Sequence, residues 1–315
     1  EQRTRDAAYW REAYAGHSAA ASLSDGAPVS GHGFVQAETR LNAAFAEALQ
    51  AAQTRTDVSW PDILTALCAA YIARHTGQSE AVVGVPFMGR LGSRTARVPA
   101  MVMNVVPLRL AIDEDAPLDA LLVEASKGLR KARRHGRYRG EQLRRDLGLL
   151  GGNRRLYGPL INILPFEQPA PLPGTRTRLQ VLGAGPVEDL TITLRGNPAQ
   201  PGMLLTIEAN PALYAKDTVE AHLARLRTFL QRALAAPALA HVPTLTDAEH
   251  QHWTATVNDT AHPVPLTTLP ALIEASIART PQAVALEDAE GQLTYAAFDA
   301  STRALAGRLQ AAGVR

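Results

Sequence analysis

Apolar residues along the chain recur at changing intervals, and each change marks an expected element. Through Leu41, Phe45, Ala48 and Leu49, and again through Ile63, Leu64, Leu67 and Ile72, they return every three or four positions, the spacing of a helix with one buried face. Asp57 and Ser59 offer caps for the second of these helices, Pro61 falls in its first turn and Gly77 stops it. Two runs then read as strands: residues 81–85, β-branched and buried on both faces, and residues 101–110, apolar except for Asn104, with Pro107 expected to end regular pairing. A further helix follows Asp113, Glu114 and Asp115, carries Leu118, Leu121, Leu122, Ala125, Leu129 and Ala132 on one face, and breaks at Gly136. A shorter amphipathic segment spans 138–147.

Strands are expected at 33–38, 160–164, 179–182, 190–194 and 204–209, and a helix from Asp217, capped by Glu220 in the D-x-x-E manner, runs to Pro237. A helical patch holding Tyr9, Trp10 and Tyr14 precedes all of this. Residues 245–265 turn polar around an isolated Trp253, which reads as a tether packed on a neighbouring domain. Beyond lie a helix at 269–277, two short strands meeting near Glu290 and Gly291, and a helix at 297–312. Alternating helices and strands imply an α/β layer fold.

The 315 residues suit about two domains. No apolar run approaches the roughly 18 residues of a membrane helix, and the opening EQRTRD is no signal peptide, so no membrane partner and a cytoplasmic setting are expected. The single Cys68, amid Leu64, Leu67 and Ala69, excludes an internal disulfide framework or a multi-cysteine metal site and reads as a buried structural thiol. His250 and His252 are two apart and make a poor metal pair, so no metal site is expected. The formal net charge of +2 hides an asymmetry: nine basic residues between Lys127 and Arg145 face Glu141 alone. From Thr246 onward four arginines oppose eight carboxylates. Such a local excess points to an anionic partner; without interleaved aromatics or a binding motif it does not point to nucleic acid.

GVPFMGRLGS at 84–93 followed by NVVPLRL at 104–110 resembles paired motifs of the carboxy-terminal lobe of non-ribosomal peptide synthetase condensation domains. RRHGRYRGEQLRRDLG, LYGPLINILPFE and GPVEDLTITL resemble further motifs in the family's order. LTDAEHQHWTATVNDTAHPVP resembles the linker to an adenylation domain, and TPQAVALEDAEGQLTYAAFD that domain's opening. The wording is similar to that of enterobactin-type siderophore synthetases.

The resemblance implies a chloramphenicol-acetyltransferase-like lobe, a mixed sheet flanked by helices, followed by the first part of an ANL-type adenylation domain. It divides the chain into a connection from a preceding lobe (1–30), the lobe (31–244), the linker (245–265) and the incomplete adenylation domain (266–315). The implied activity is amide-bond formation between acyl and aminoacyl thioesters on peptidyl or aryl carrier proteins, in siderophore biosynthesis. The family's transferring histidine lies in an HHxxxDG motif, which occurs nowhere in these residues; it is expected upstream of residue 1, and the chain alone is expected to be inactive. The alternative is a catalytically inactive lobe serving as a carrier docking platform.

Phosphopantetheine would arrive on the carriers, with no cofactor bound by this stretch itself; ATP and Mg would belong to the absent part of the adenylation domain. The missing lobe and the rest of that domain are the other expected partners. Gly89, Arg90, Asn104 and Asp189 are the implied tunnel or phosphopantetheine-binding residues. Asn104 reads equally as a core amide satisfied by its surroundings, and Asp189 as an architectural carboxylate. Arg133, Arg134 and Arg137 are implied to dock a carrier, or else form a solvated face.

Overall fold

A computed structural model of the chain describes residues 1–15, 20, 22–26, 31–89, 97–99, 102–149, 155–165, 173–175, 187–199, 202–263, 266–289 and 291–314. In chain order the elements are α1 (Gln2–Ala13), β1 (Val35–Arg40), α2 (Ala43–Thr56), α3 (Trp60–Thr76), β2 (Glu80–Met88), β3 (Met103–Ala111), α4 (Leu118–Arg134) and α5 (Gly140–Asp146). Then come β4 (Leu160–Leu164), β5 (Leu190–Arg195), β6 (Leu204–Ala209), α6 (Lys216–Ala233), α7 (Asp247–Gln251), α8 (Leu269–Arg279), β7 (Val284–Asp288), β8 (Gly291–Thr294) and α9 (Tyr295–Ala311). They form two compact units, Glu1–Trp253 and Thr254–Arg315. The strand expected at 179–182 lies outside the described residues.

The first unit is built on one mixed sheet of order β1-β6-β5-β4-β2-β3. β4 runs parallel to both β2 and β5, and the remaining neighbours are antiparallel. Helices α3, α4 and α6 pack on the face bearing Val83, Ile161, Ile192, Leu194, Leu205 and Ile207. Every residue of α3 from Asp62 to Ala73 is buried, as befits a helix enclosed by the sheet and by α2, α4 and α6. Alternation then sends the intervening residues to the opposite face, where Gln36, Glu38, Asn162, Thr191, Thr193 and Glu208 make a polar surface.

Three local expectations need correction. β3 continues through Pro107, which sits opposite Gly84. The Gly84 amide donates to Pro159 O on the β4 side (3.0 Å), so at this non-hydrogen-bonded pair the missing Pro107 N–H would face outward from an edge strand, where it costs no ladder bond. Asp57 does not cap α3 but is the left-handed C-cap of α2 (φ 54°), while Ser59 takes the expected N-cap position of α3, without a side-chain bond. Asp217 lies inside the first turn of α6, behind Ala215 at the cap; the true capping box is Thr246 with Glu249 at the start of α7.

Helix α1 is part of the same unit. Trp10 is buried, its indole N–H donates to His135 O (3.0 Å), Tyr9 stacks on the His135 ring (4.0 Å), and Asp6 Oδ1 lies 2.7 Å from His135 Nδ1. Between α3 and α6, the buried Tyr71 hydroxyl meets His222 Nδ1 at 2.8 Å. α7 is tied back to α6 by Arg225 to Glu249 (2.7 Å) and Arg232 to Asp247 (2.5 Å). In the second unit β7 and β8 form an antiparallel hairpin packed with α9, which also packs on α8. No helix among the described residues is long and apolar enough to cross a membrane.

Candidate functional site

α4 ends at Arg134, and α5 restarts at Gly140 after a turn that carries Arg137 and Arg139. Two facing residues at the β2–β3 end hold this turn, Phe87 and its register partner Asn104. Asn104 Nδ2 donates to Gly136 O (2.8 Å) and Tyr138 O (2.7 Å), while its Oδ1 accepts from the Gly140 amide (3.2 Å). The Phe87 ring covers Gly136 so closely that a Cβ there would fall 2.6 Å from a ring carbon. Asn104 thus spends its amide inside the lobe, organising the turn.

Two clefts flank that turn. One, of about 500 Å³, lies between Phe87, Gly89, Arg133, Arg134 and Arg137; the other, of about 580 Å³, is lined by Arg3, Arg137, Arg139 and Arg145 with Glu141. Arg137 borders both. Gly89 is at the rim, where a Cβ would stand 3.3 Å from Val102 O. Arg133 is partly committed elsewhere, donating to the buried Asp62 (2.8 Å), which also accepts from Ser126 (2.9 Å). Arg134 and Arg137 are exposed. Arg90 lies outside the described residues.

Asp189 belongs to a different place. It begins the segment entering β5 and is buried (4% of its side chain exposed) beside the equally buried Arg155 (8%), whose Nη1 stands 2.9 Å from Oδ2. Oδ1 accepts from Ser22 and from Tyr214, both at 2.8 Å, and Arg155 also donates to Glu188 O (3.2 Å). Desolvation first and the nearby Asp189 carboxylate second push the Tyr214 phenol upward, so it remains a donor. This network borders a third cleft, of about 360 Å³, over the polar face of the sheet. Its floor holds Leu160 and Asn162 of β4, Thr191 and Thr193 of β5, and Glu208 of β6, with Met103 and Val105 of β3 at one side. Since Met103 and Val105 line it, Asn104 between them points to the other face of the sheet. Burial raises the Glu208 carboxyl above its ordinary range.

The family model for the condensation domain matches residues 1–253. The chain belongs to the condensation domain family. It is 34% identical over 316 residues to the dimodular nonribosomal peptide synthase of Bacillus subtilis (strain 168), covering all of this chain and 13% of that protein. To enterobactin synthase component F of Escherichia coli O157:H7 it is 35% identical over 316 residues, 99% of this chain and 24% of the relative. The first condensation domain of the calcium-dependent antibiotic synthetase, in complex with a substrate analogue, superposes with a TM-score of 0.71 at 30% identity, covering 78% of this chain and 54% of that one. The chain therefore spans a quarter or less of these synthetases, and about half of the solved condensation domain.

Gly89, Arg133, Arg134 and Arg137 come together in this condensation domain, with Asn104 beneath them; Asp189 stands apart at the third cleft. Asn162, Arg155, Thr191, Thr193 and Glu208 are absent from the expected residues, although a signal for them exists. In LINIL, LTITL and LLTIEA the polar residues fall at every second position, which marks one strand face as wet. Burial pushes the Cys68 thiol up to about 12, leaving it protonated and inert near neutrality. Trp253 is 56% exposed.

Proposed function

We propose that this chain is the carboxy-terminal lobe of a condensation domain together with its linker and the opening of an adenylation domain, and that in its parent synthetase it forms one wall of an amide-forming site. The amine on one carrier attacks the thioester carbonyl on another, the C–N bond forms as the C–S bond breaks, and the freed thiol takes the proton. The lobe contributes positioning, and the proton-transferring histidine comes from the HHxxxDG motif of the other lobe, set against the polar sheet face. The observation that carries this reading is the family match across 1–253, joined to a mixed sheet whose polar face holds a cleft.

Carriers with phosphopantetheine arms are the partners. The arginine clefts on either side of Arg137 suit the phosphate of such an arm, with Arg134 and Arg137 as donors and Gly89 allowing close approach. Asn104 acts as a positioning residue for that turn, and Asp189 as an architectural one. The names of the siderophore synthetases among the relatives, those for enterobactin and vanchrobactin, support a siderophore as the product class. ATP and Mg belong to the adenylation chemistry beyond these residues, and the cytoplasm is the setting.

A second reading, an inactive docking platform, draws on the arginine surface that α1, α4, α5 and the turn at Arg137 form between them. Carrier binding tests the shared part. Arg134→Glu with Arg137→Glu is expected to weaken binding of a phosphopantetheinylated carrier at least tenfold and to flatten its salt dependence. Unchanged affinity in that double variant refutes the arginine face as the dock. Arg133 is left intact because its reversal would set a carboxylate against Asp62.

A further inference from the structure

Glu208 is 6% exposed, on the floor of the third cleft, in a strand whose alternate residues Leu205, Ile207 and Ala209 are fully buried against the helices. It stands directly across from Thr191, as Asn162 stands across from Thr193. Among the described residues none of these four side chains has a hydrogen-bond partner, although Glu208 and Thr193 are more than nine-tenths buried. Among the described lining residues the one cation, Arg155, is already paired with Asp189 and the Glu188 carbonyl, and Arg195, outside the lining, acts on Glu208 only through its charge and less strongly than burial does. The lining therefore carries one arginine against the three carboxylates of Glu188, Asp189 and Glu208. A desolvated carboxylate with no cation in hydrogen-bonding contact costs stability unless something cationic completes it.

We propose that Glu208 is the specificity-determining residue of this cleft, receiving the ammonium of a primary-amine ligand of aminoacyl type, whose carbonyl end meets Thr191, Thr193 and Asn162. This deepens the condensation reading and rests on it, because the acceptor in that reaction is an amine. The cleft volume of about 360 Å³ admits a group of aminoacyl size and the start of an arm.

The test is a protein-observed NMR titration of the chain with glycine ethyl ester, a primary amine, and with N-acetylglycine ethyl ester, its neutral counterpart. The amine is expected to shift the Asn162 side-chain amide and the backbone amides of Thr191 and Thr193 saturably, and the acetylated probe to bind at least tenfold more weakly. Glu208→Gln should lose at least tenfold in amine affinity while melting no lower than the native chain, since it removes an uncompensated charge and keeps the shape. Equal affinity of the two probes for the native chain overturns the proposal, independently of how the variant folds. So does undiminished amine binding by Glu208→Gln. The titration needs neither carrier nor amide product, so its failure removes this site alone, and failure of the condensation reading leaves the titration readable.

Discussion

Replacing Asn104 separates a structural amide from a substrate-orienting one. Asn104→Leu removes two donated bonds, at 2.8 and 2.7 Å, and one accepted bond at 3.2 Å, all to the backbone of 136–140. A net contribution of about 1 kcal/mol each gives about 3 kcal/mol, with the half-buried setting letting water recover part of what a fully buried turn would forfeit. Asn104→Asp keeps the acceptor for the Gly140 amide but turns a carboxylate toward two carbonyl oxygens, so it should cost at least as much. Urea unfolding measures the global loss, and amide hydrogen exchange at Gly140 measures the local one. That amide should exchange on the order of a hundredfold faster in Asn104→Leu if the turn opens by this amount. The carrier affinity should fall with it, since Arg137 rides on the turn. Stability within about 0.5 kcal/mol of native and unchanged exchange at Gly140 would refute the assignment and return Asn104 to the substrate path.

Three further outcomes are expected. Desolvation first, and the neighbouring His75 second, lower His222 to about 4, so the unfolded chain takes up its proton first. The stabilisation from its neutral form is whole above about pH 6.5 and is lost as pH falls toward 4, about 3 kcal/mol in all at about 1.4 kcal/mol per pH unit; urea midpoints at pH 7 and 4.5 should differ less in His222→Gln. Arg155→Met strands the buried Asp189 and should cost about 3–5 kcal/mol by thermal unfolding, part of it recovered when Asp189→Asn is added. Gly136→Ala drives a Cβ into the Phe87 ring and should cost about 1–3 kcal/mol, relieved by Phe87→Leu in the same chain.

Helix periodicity placed α2, α3, α4 and α6 closely because each buries apolar residues in the core, and it also placed α9, which packs on the β7–β8 hairpin, and α8, which packs on α9. Strands 160–164 and 204–209 agree with β4 and β6 to the residue, since Gly, Pro and polar turns bound them on both sides. What pattern alone could not supply was neighbourhood. That Pro107 is harmless follows from β3 being an edge, which depends on the whole strand order. That Asn104 faces the 136–140 turn while Met103 and Val105 face the cleft follows from knowing which sheet face the helices cover. The basic run reads from composition as a patch, but only packing shows Arg133 drawn to Asp62 and Arg137 set between two clefts. The Arg155–Asp189 pair joins residues 34 positions apart and has no local signature. Glu208 had one, the alternation in LLTIEA, yet a lone glutamate in a strand reads as solvent-exposed until its burial is known.

Amide formation in the parent synthetase is the decisive measurement. One carrier is loaded with an acyl thioester and a second with an aminoacyl thioester, the synthetase containing this chain is added, and the carrier-bound species are weighed by intact-protein mass spectrometry. A condensation site predicts that the acyl mass leaves the first carrier and appears, joined through an amide, on the second, and that it does so only when both carriers are loaded. Carriers that bind the synthetase while both keep their original loads would contradict amide formation and leave the lobe as a docking platform.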